Sequence, residues 1–191
     1  MRSRFVAAAM ALAAVLIWGC GESKAPAAKA TLVNAQGQKV GEATLTETPQ
    51  GVKIDLTVEN LPPGVHAFHI HDKAVCQGPD FMGAGGHFNP YHKQHGLKNP
   101  LGPHAGDLPN ITVGPDGHAM VSVMANLVTL KDGEINSLFQ PGGTSLVIHA
   151  NPDDEVTEPA GVAWAIARFA MNSVNVTTNA TTKRKIVLLF M

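Results

Sequence analysis

Seven of the nine histidines in this chain fall between His66 and His104, and Asp107 follows close behind. Two of them, His69 and His71, are separated by one residue in Phe68-His69-Ile70-His71. In an extended strand alternate side chains share a face, so these imidazoles point the same way and can chelate one metal ion. His87, His95, His104 and Asp107 are further candidate ligands. Between them lie Gly83-Ala84-Gly85-Gly86 and Asn99-Pro100-Leu101-Gly102-Pro103, which favour turns over helix and read as one long folded loop. A loop of this length needs an ordering device, and bound metal is one.

Such a loop must hang on a rigid frame. The chain has 191 residues, 45% of them apolar, which suits one domain of ordinary size with a sizeable core. Nineteen Gly and thirteen Pro with only 15% charged residues favour short strands and turns over helices. A formal net charge of −1 offers no broad basic field, which excludes a nucleic-acid partner.

The apolar pattern places the frame. Ala30 to Asn34 and Val40 to Thr46 flank a turn at Ala35-Gln36-Gly37-Gln38, and Val52 to Val58 alternates apolar and polar residues without a break. That alternation marks a strand with one buried face, and the three segments form a meander. Leu61-Pro62-Pro63-Gly64 leads into His66–His71. Leu108 to Val113 and His118 to Met124 flank Gly114-Pro115-Asp116-Gly117, a good hairpin turn. Ser145 to Ala150 and a segment from about Trp164 to Val176 complete the series. These eight short strands with long loops predict an all-β fold: an eight-stranded antiparallel Greek-key barrel or sandwich over residues 29–176.

Before the frame, Arg2 and Arg4 precede an uncharged run from Phe5 to Trp18. This is well short of the roughly 20 residues that span a bilayer as a helix and reads as a secretory signal over residues 1–19. Its end, Leu16-Ile17-Trp18-Gly19-Cys20, resembles the lipobox of bacterial lipoproteins, in which the cysteine becomes the lipid-bearing N-terminus. Residues 20–28 are then a lipidated Cys20 and a short tether. Several acyl chains, at about 0.8 kcal/mol per buried CH₂, anchor a protein firmly. The expected location is the cell envelope: the outer face of a bacterial membrane, or the periplasm.

Five segments in order resemble the bacterial Cu/Zn superoxide dismutases: Gly64-Val65-His66-Ala67-Phe68-His69-Ile70-His71, Gly85-Gly86-His87-Phe88-Asn89-Pro90, His95-Gly96, Gly102-Pro103-His104-Ala105-Gly106-Asp107-Leu108 and Leu146-Val147-Ile148-His149-Ala150-Asn151-Pro152-Asp153-Asp154. The resemblance implies copper held by His69, His71, His87 and His149, and zinc held by His87, His95, His104 and Asp107, with His87 shared. Imidazoles suit copper, and a three-nitrogen, one-oxygen tetrahedron suits zinc. Asp153 matches the carboxylate that links a copper-ligand histidine to a zinc-ligand histidine and so fixes their orientation. The implied reaction is disproportionation of superoxide. His87 then has a catalytic role as proton carrier, Arg168 orients the anion, and Lys73, Lys93 and Lys98 add to a positive funnel. His66, an odd number of residues from His69, should face the other way as a hydrogen-bonded structural histidine. His92 and His118 should be solvated.

The resemblance breaks near the end. Where the family has a glycine-containing link and an Arg-x-Ala-Cys segment, this chain has Val162-Ala163-Trp164-Ala165-Ile166-Ala167-Arg168-Phe169-Ala170-Met171. Arg168 arrives two residues late, and Met171 stands in place of the cysteine. The resemblance matches Cys76 to the family cysteine that ties the metal loop to the final strand, a cross-link worth roughly 4–5 kcal/mol for such a loop, and with Met171 in place of the cysteine that family cross-link is not expected. The metals are then expected to hold the loop alone. The tail of residues 177–191 ends in the apolar Ile186-Val187-Leu188-Leu189-Phe190-Met191, and a shifted reading frame near Gly161 would explain the lost glycine, the lost cysteine and the tail together. Complete ligands favour an exported enzyme. The altered end favours the alternatives, a non-catalytic copper- and zinc-binding lipoprotein that buffers or delivers metal, or a metal-stabilised surface protein.

Overall fold

A computed structural model of the chain describes residues 25–157 and 163–169. The signal segment, Cys20, Met171 and the tail of residues 177–191 lie outside the described residues. The described residues form nine strands: β1 (Ala27–Asn34), β2 (Lys39–Thr48), β3 (Gly51–Val58), β4 (Gly64–His66), β5 (Phe68–His71), β6 (Ile111–Val113), β7 (Ala119–Ala125), β8 (Thr144–His149) and β9 (Ala163–Phe169). One 3₁₀ turn, Met82–Ala84, is the sole helical element among the described residues. The ordered frame starts at Ala27, two residues before the expected boundary, and Glu47 N–H donates to Pro26 O just ahead of it.

The strands form because their apolar residues fall at period two. Val52, Ile54, Leu56 and Val58 of β3 are buried while Lys53 and Thr57 are exposed. The β1–β2 turn is held by Asn34, whose Oδ1 accepts from the N–H groups of Gln36 and Gln38. Gly37 there takes φ +75°, a conformation that costs glycine nothing.

Seven strands form one antiparallel sheet in the order β5-β8-β9-β1-β2-β3-β7, with β4 and β6 as a separate pair. In this sheet β9 returns beside β1 of the β1–β2–β3 meander, the Greek-key arrangement. The sheet curls round the core. Its edge strand β7 follows β6 across the Gly114–Gly117 turn, β6 pairs with β4, and β4 runs into the opposite edge strand β5. Leu32, Leu45, Ile54, Phe68, Ile70, Leu108, Leu138, Leu146 and Ile148 fill the interior.

Nine strands appear rather than eight because His66–His71, expected as one strand, divides at Ala67. On one side β4 pairs with β6, and on the other β5 pairs with β8. Between them Ala67 N–H donates to Asn151 O, and its carbonyl accepts from His149 N–H. A strand that changes partners in this way makes a corner.

All four residues of β5 are buried. One edge of the strand pairs with β8; the other is occupied by loop backbone. Ile70 N–H donates to Gly106 O, Phe88 N–H to Ile70 O, Gly106 N–H to Phe88 O and Asp72 N–H to Gly86 O, each at 2.8–2.9 Å. Two antiparallel bridges result, His69 opposite Asp107 and His71 opposite His87. Residues opposite each other in an antiparallel bridge put their side chains on the same face. The loop is therefore zipped to β5 in a register that aligns candidate ligands.

The remainder of that loop is held by more than metal, contrary to expectation. Cys76, Phe81 and Ala84 pack with Val147 and Ile166 on the outer face of β8 and β9. Ser145 Oγ donates to Lys73 O at 2.8 Å, Gln140 Nε2 to Asp72 O at 3.0 Å, and Ala74 N–H to Gly142 O at 3.2 Å.

Gly106 is the tightest point of the zipper: a Cβ there would run into the carbonyl oxygen of Ile70 and lie 3.0 Å from Phe88 N. Gly106→Ala should destabilise the metal-free protein by about 1–3 kcal/mol and weaken metal binding, measured by denaturant midpoint and metal competition. An unchanged midpoint would mean that the loop does not seat on β5 this way.

Candidate metal centre

Four histidines meet on the outer side of β5. His69 and His71 project from β5, His149 from the end of β8, and His87 from the loop zipped to β5. The His69 ring centroid is 4.1 Å from His87 and 5.0 Å from His149, while that of His71 is 5.0 Å from His87 and 5.4 Å from His149. His71 Nε2 and His149 Nε2 approach to 3.3 Å. One nitrogen from each of the four lies within 4.8 Å of the others. The expected copper ligands are thus brought together.

A second group shares His87. Asp107 Oδ1 is 3.0 Å from His87 Nδ1, 3.0 Å from His95 Nδ1 and 3.4 Å from His104 Nδ1. Three Nδ1 atoms thus converge on one carboxylate oxygen, the donor set expected for zinc. Donor atoms of His69, His87, His95 and Asp107 all lie within 4.8 Å of one another. His104 closes the far side, its ring centroid 5.5 Å from His87 and 5.6 Å from His95. The other carboxylate oxygen, Asp107 Oδ2, accepts from the N–H groups of Gly96 at 2.8 Å and His104 at 2.9 Å, which aims Oδ1 at the imidazoles.

Asp153 links the two groups. Its Oδ2 is 2.8 Å from His69 Nε2 and its Oδ1 is 3.0 Å from His95 Nε2, the connection the sequence led us to expect. A reciprocal clamp that the sequence did not signal holds it: Asn110 Nδ2 donates to Asp153 O, and Asp153 N–H donates to Asn110 Oδ1. Nothing marks Asn110 in the chain, because its role depends on a contact 43 residues away. The Gly85 carbonyl, 2.9 Å from His71 Nδ1, was equally invisible. A carbonyl there holds the proton on Nδ1 and leaves Nε2 as the ligand atom.

The electrostatics prepare these groups for a cation. Burial, reinforced by repulsion from His87 and His149, pushes His69 down to about 3 against the opposing pull of Asp153. Burial beside His87 and His149 likewise pushes His71 down to about 3. Both rings are neutral at physiological pH, as metal ligands must be. With its Nε2 hydrogen directed at Asp153, His69 presents an unprotonated Nδ1, a buried atom with no hydrogen-bond partner. An orphaned imidazole nitrogen is costly unless something binds it. Burial opposes ionisation of Asp107, yet hydrogen bonds from His87 and the Gly96 N–H hold its carboxyl well below the usual range. For His95, burial is outweighed by Asp153 and Asp107, which raise its affinity for a proton, and a metal at Nδ1 would replace that proton. Donor identity, convergence and protonation state all fit a copper–zinc pair.

The remaining histidines behave as expected. His66 is buried, its Nδ1 2.9 Å from His149 O and its Nε2 2.9 Å from Pro62 O, so it braces the β8 end that carries His149. His92 and His118 are exposed. Lys73 and Lys93 are exposed, but Lys98 pairs with Glu155 at 2.8 Å, which offsets its share of any positive funnel. The backbone of Arg168 lies in β9 opposite Ser145, and its side chain falls outside the described residues.

Comparison with known proteins agrees with this geometry. The family model described as copper/zinc superoxide dismutase (SODC) matches residues 39–172. The chain is 54% identical over 137 residues to superoxide dismutase [Cu-Zn] 2 of Aquifex aeolicus, spanning 71% of this chain and 80% of that protein. It is 37% identical over 175 residues to a superoxide dismutase-like protein of Bacillus subtilis, spanning 82% of this chain and 89% of the relative. The crystal structure of a superoxide dismutase-like protein from Bacillus subtilis superposes with a TM-score of 0.71 at 38% identity, covering 73% of this chain and 96% of that one. With the strand order, the two histidine groups sharing His87 and a match over most of its length, this chain belongs to the copper/zinc superoxide dismutase family.

Proposed function

We propose that this chain is an exported, lipid-anchored superoxide dismutase acting outside the cytoplasmic membrane. One observation carries the activity: two groups of imidazoles, one of them with a carboxylate, converge around His87 in a metal-ready arrangement, with His69 and His71 held neutral. His69, His71, His87 and His149 would hold copper; His87, His95, His104 and Asp107 would hold zinc. When bound, copper supplies the one-electron change that disproportionation needs, and zinc supplies a fixed charge without redox chemistry.

Overall, two superoxide ions and two protons give one dioxygen and one hydrogen peroxide. With its Nδ1 turned to Asp107, His87 has its other ring nitrogen facing the His69, His71 and His149 side. That nitrogen is the atom able to accept a proton and return it. Asp153 keeps His69 and His95 from rotating during turnover. Arg168 is the proposed guide for the anion. A cation beside the reacting centre orients a small anion and stabilises developing charge, and the family match extends through this position.

Export and anchoring are supported by Arg2, Arg4, the uncharged Phe5–Trp18 run and Cys20. Cys20→Ser should release the protein from the membrane fraction into the soluble envelope fraction while leaving activity per chain unchanged. Continued sedimentation of Cys20→Ser with membranes would refute lipid attachment at this residue.

The activity itself is tested by superoxide consumption and metal content on one sample. The expected result is one copper and one zinc per chain with catalytic turnover, and Arg168→Ala should lower turnover roughly ten- to hundredfold at unchanged copper content. Full copper occupancy without turnover in the parent chain would instead select a metal-buffering role. Asp153→Asn replaces an acceptor oxygen facing an imidazole N–H with an NH₂ group. It should weaken zinc binding about ten- to a hundredfold with the fold intact by circular dichroism. Equal zinc affinity in a chelator competition would rule out Asp153 as the positioning group.

A further inference from the structure

The two metal groups meet solvent at different places. In the zinc group the Asp107 and His95 side chains are sealed, 1% and 2% exposed, whereas His104 keeps 9% of its surface open. His104 and His95 line a cavity of about 330 Å³ with Gln94, Asn99 and Val156. At about 30 Å³ per water molecule, this is room for an ion with a hydration shell. The shared ligand His87, 10% exposed, lines a second cavity with Asp72, Asn89, His92 and Gln140. Among the described residues, none lines both cavities.

The wall of the first cavity is the turn of residues 94–102, which gives no side chain to the barrel core. Its apolar residues Leu97 and Leu101 are exposed, and its two buried residues, His95 and Gly96, are the ones that hold Asp107. Polar contacts fasten the turn to the segment after Asp153. Lys98 N–H donates to Glu155 O at 3.0 Å, and the Lys98 ammonium lies 2.8 Å from the Glu155 carboxylate. Asn99 joins the two sides of the mouth. Its Oδ1 accepts from Leu101 N–H at 2.9 Å, while its Nδ2 donates to His95 O at 2.9 Å and reaches Val156 O at 3.5 Å, the limit of a hydrogen bond. A segment held by exposed polar contacts, with little apolar surface buried, opens locally at low cost.

We propose that zinc enters and leaves through this mouth, past His104, with Asn99 as its latch, so that zinc exchanges while copper stays in place. The inference rests on zinc being held by His87, His95, His104 and Asp107. A route past His87 would lead the ion into the group of His69, His71 and His149, whose imidazoles capture a divalent ion when empty and repel it when they hold copper. The route past His104 avoids that group. Opening the mouth requires the 94–102 turn to part from Val156, which breaks the Lys98 and Asn99 contacts. It leaves untouched the hydrogen bonds of Gly86, Phe88 and Gly106 to β5. His87 and Asp107, bridged to β5, stay fixed while His95 is carried outward with the turn. The donor set is therefore part frame and part door.

Zinc exchange kinetics on the full chain, loaded with both metals, test this. Zinc release is followed with excess 4-(2-pyridylazo)resorcinol, zinc uptake by adding zinc ion to the copper-loaded, zinc-free chain, and copper by its visible absorption. The parent chain should release zinc with its copper retained. Asn99→Ala removes the latch hydrogen bonds and should quicken release and uptake alike, roughly tenfold, with zinc affinity changed by less than about threefold. A residue that merely positioned ligands would quicken release and weaken affinity without quickening uptake. Val156→Trp places a bulky ring over the mouth and should slow both rates several-fold at unchanged copper absorption. A parent chain that takes up no zinc removes the zinc assignment itself, and the mouth with it. Where zinc binds normally, the mouth alone is overturned by release quickened without uptake in Asn99→Ala, by parental rates in a folded Val156→Trp chain, or by zinc that leaves only together with copper.

Discussion

Everything chemical in this molecule depends on β5 being paired along both edges. On one side β8 completes a ladder of the barrel, and on the other the loop backbone at Gly86, Phe88 and Gly106 does so. A short strand with both edges satisfied and both faces covered cannot shift register without breaking several buried hydrogen bonds at once. Its alternation then serves two purposes. Phe68 and Ile70 anchor the barrel core, while His69 and His71 stand on the opposite face as a rigid pair. Because the loop is stitched to the same strand, His87 and Asp107 inherit that rigidity although they belong to no strand of the sheet.

The second constraint is electrostatic. Burying four imidazoles within a few ångströms of one another disfavours charge on them, and the low proton affinities of His69 and His71 follow from that burial and crowding. The two carboxylates are secured rather than loose: Asp107 by His87, His95, Gly96 and His104, and Asp153 by His69, His95 and Asn110. Each accepts hydrogen bonds on both oxygens, so neither can swing away to solvate itself. The site is therefore organised by its own hydrogen bonds before any ion enters, which favours catalytic geometry over a flexible metal store.

The divergent end of the chain alters less of this than its departures suggest. Without the cysteine of the usual final segment, the loop around Cys76 still packs Phe81 and Ala84 against β8 and β9 and donates or accepts hydrogen bonds at Asp72, Lys73 and Ala74. The backbone of β9 still pairs with β8 from Ala163 to Phe169, with a register shift near His149.

The sequence by itself determined the residue types and their alternation. Period-two patterning placed the strands, turn chemistry placed most of their ends, and the spacing of His69 and His71 put two imidazoles on one face, because these are local properties of an extended chain. Resemblance to a known family supplied the grouping of His87, His95, His104, His149, Asp107 and Asp153, which local rules cannot reach. Tertiary structure alone decided the break of the expected His66–His71 strand at Ala67, the seating of the loop on β5 through Gly106, and the roles of Asn110 and the Gly85 carbonyl. These features rest on hydrogen bonds and close approaches between segments tens of residues apart, and no pattern within either segment encodes a partner that only folding brings near.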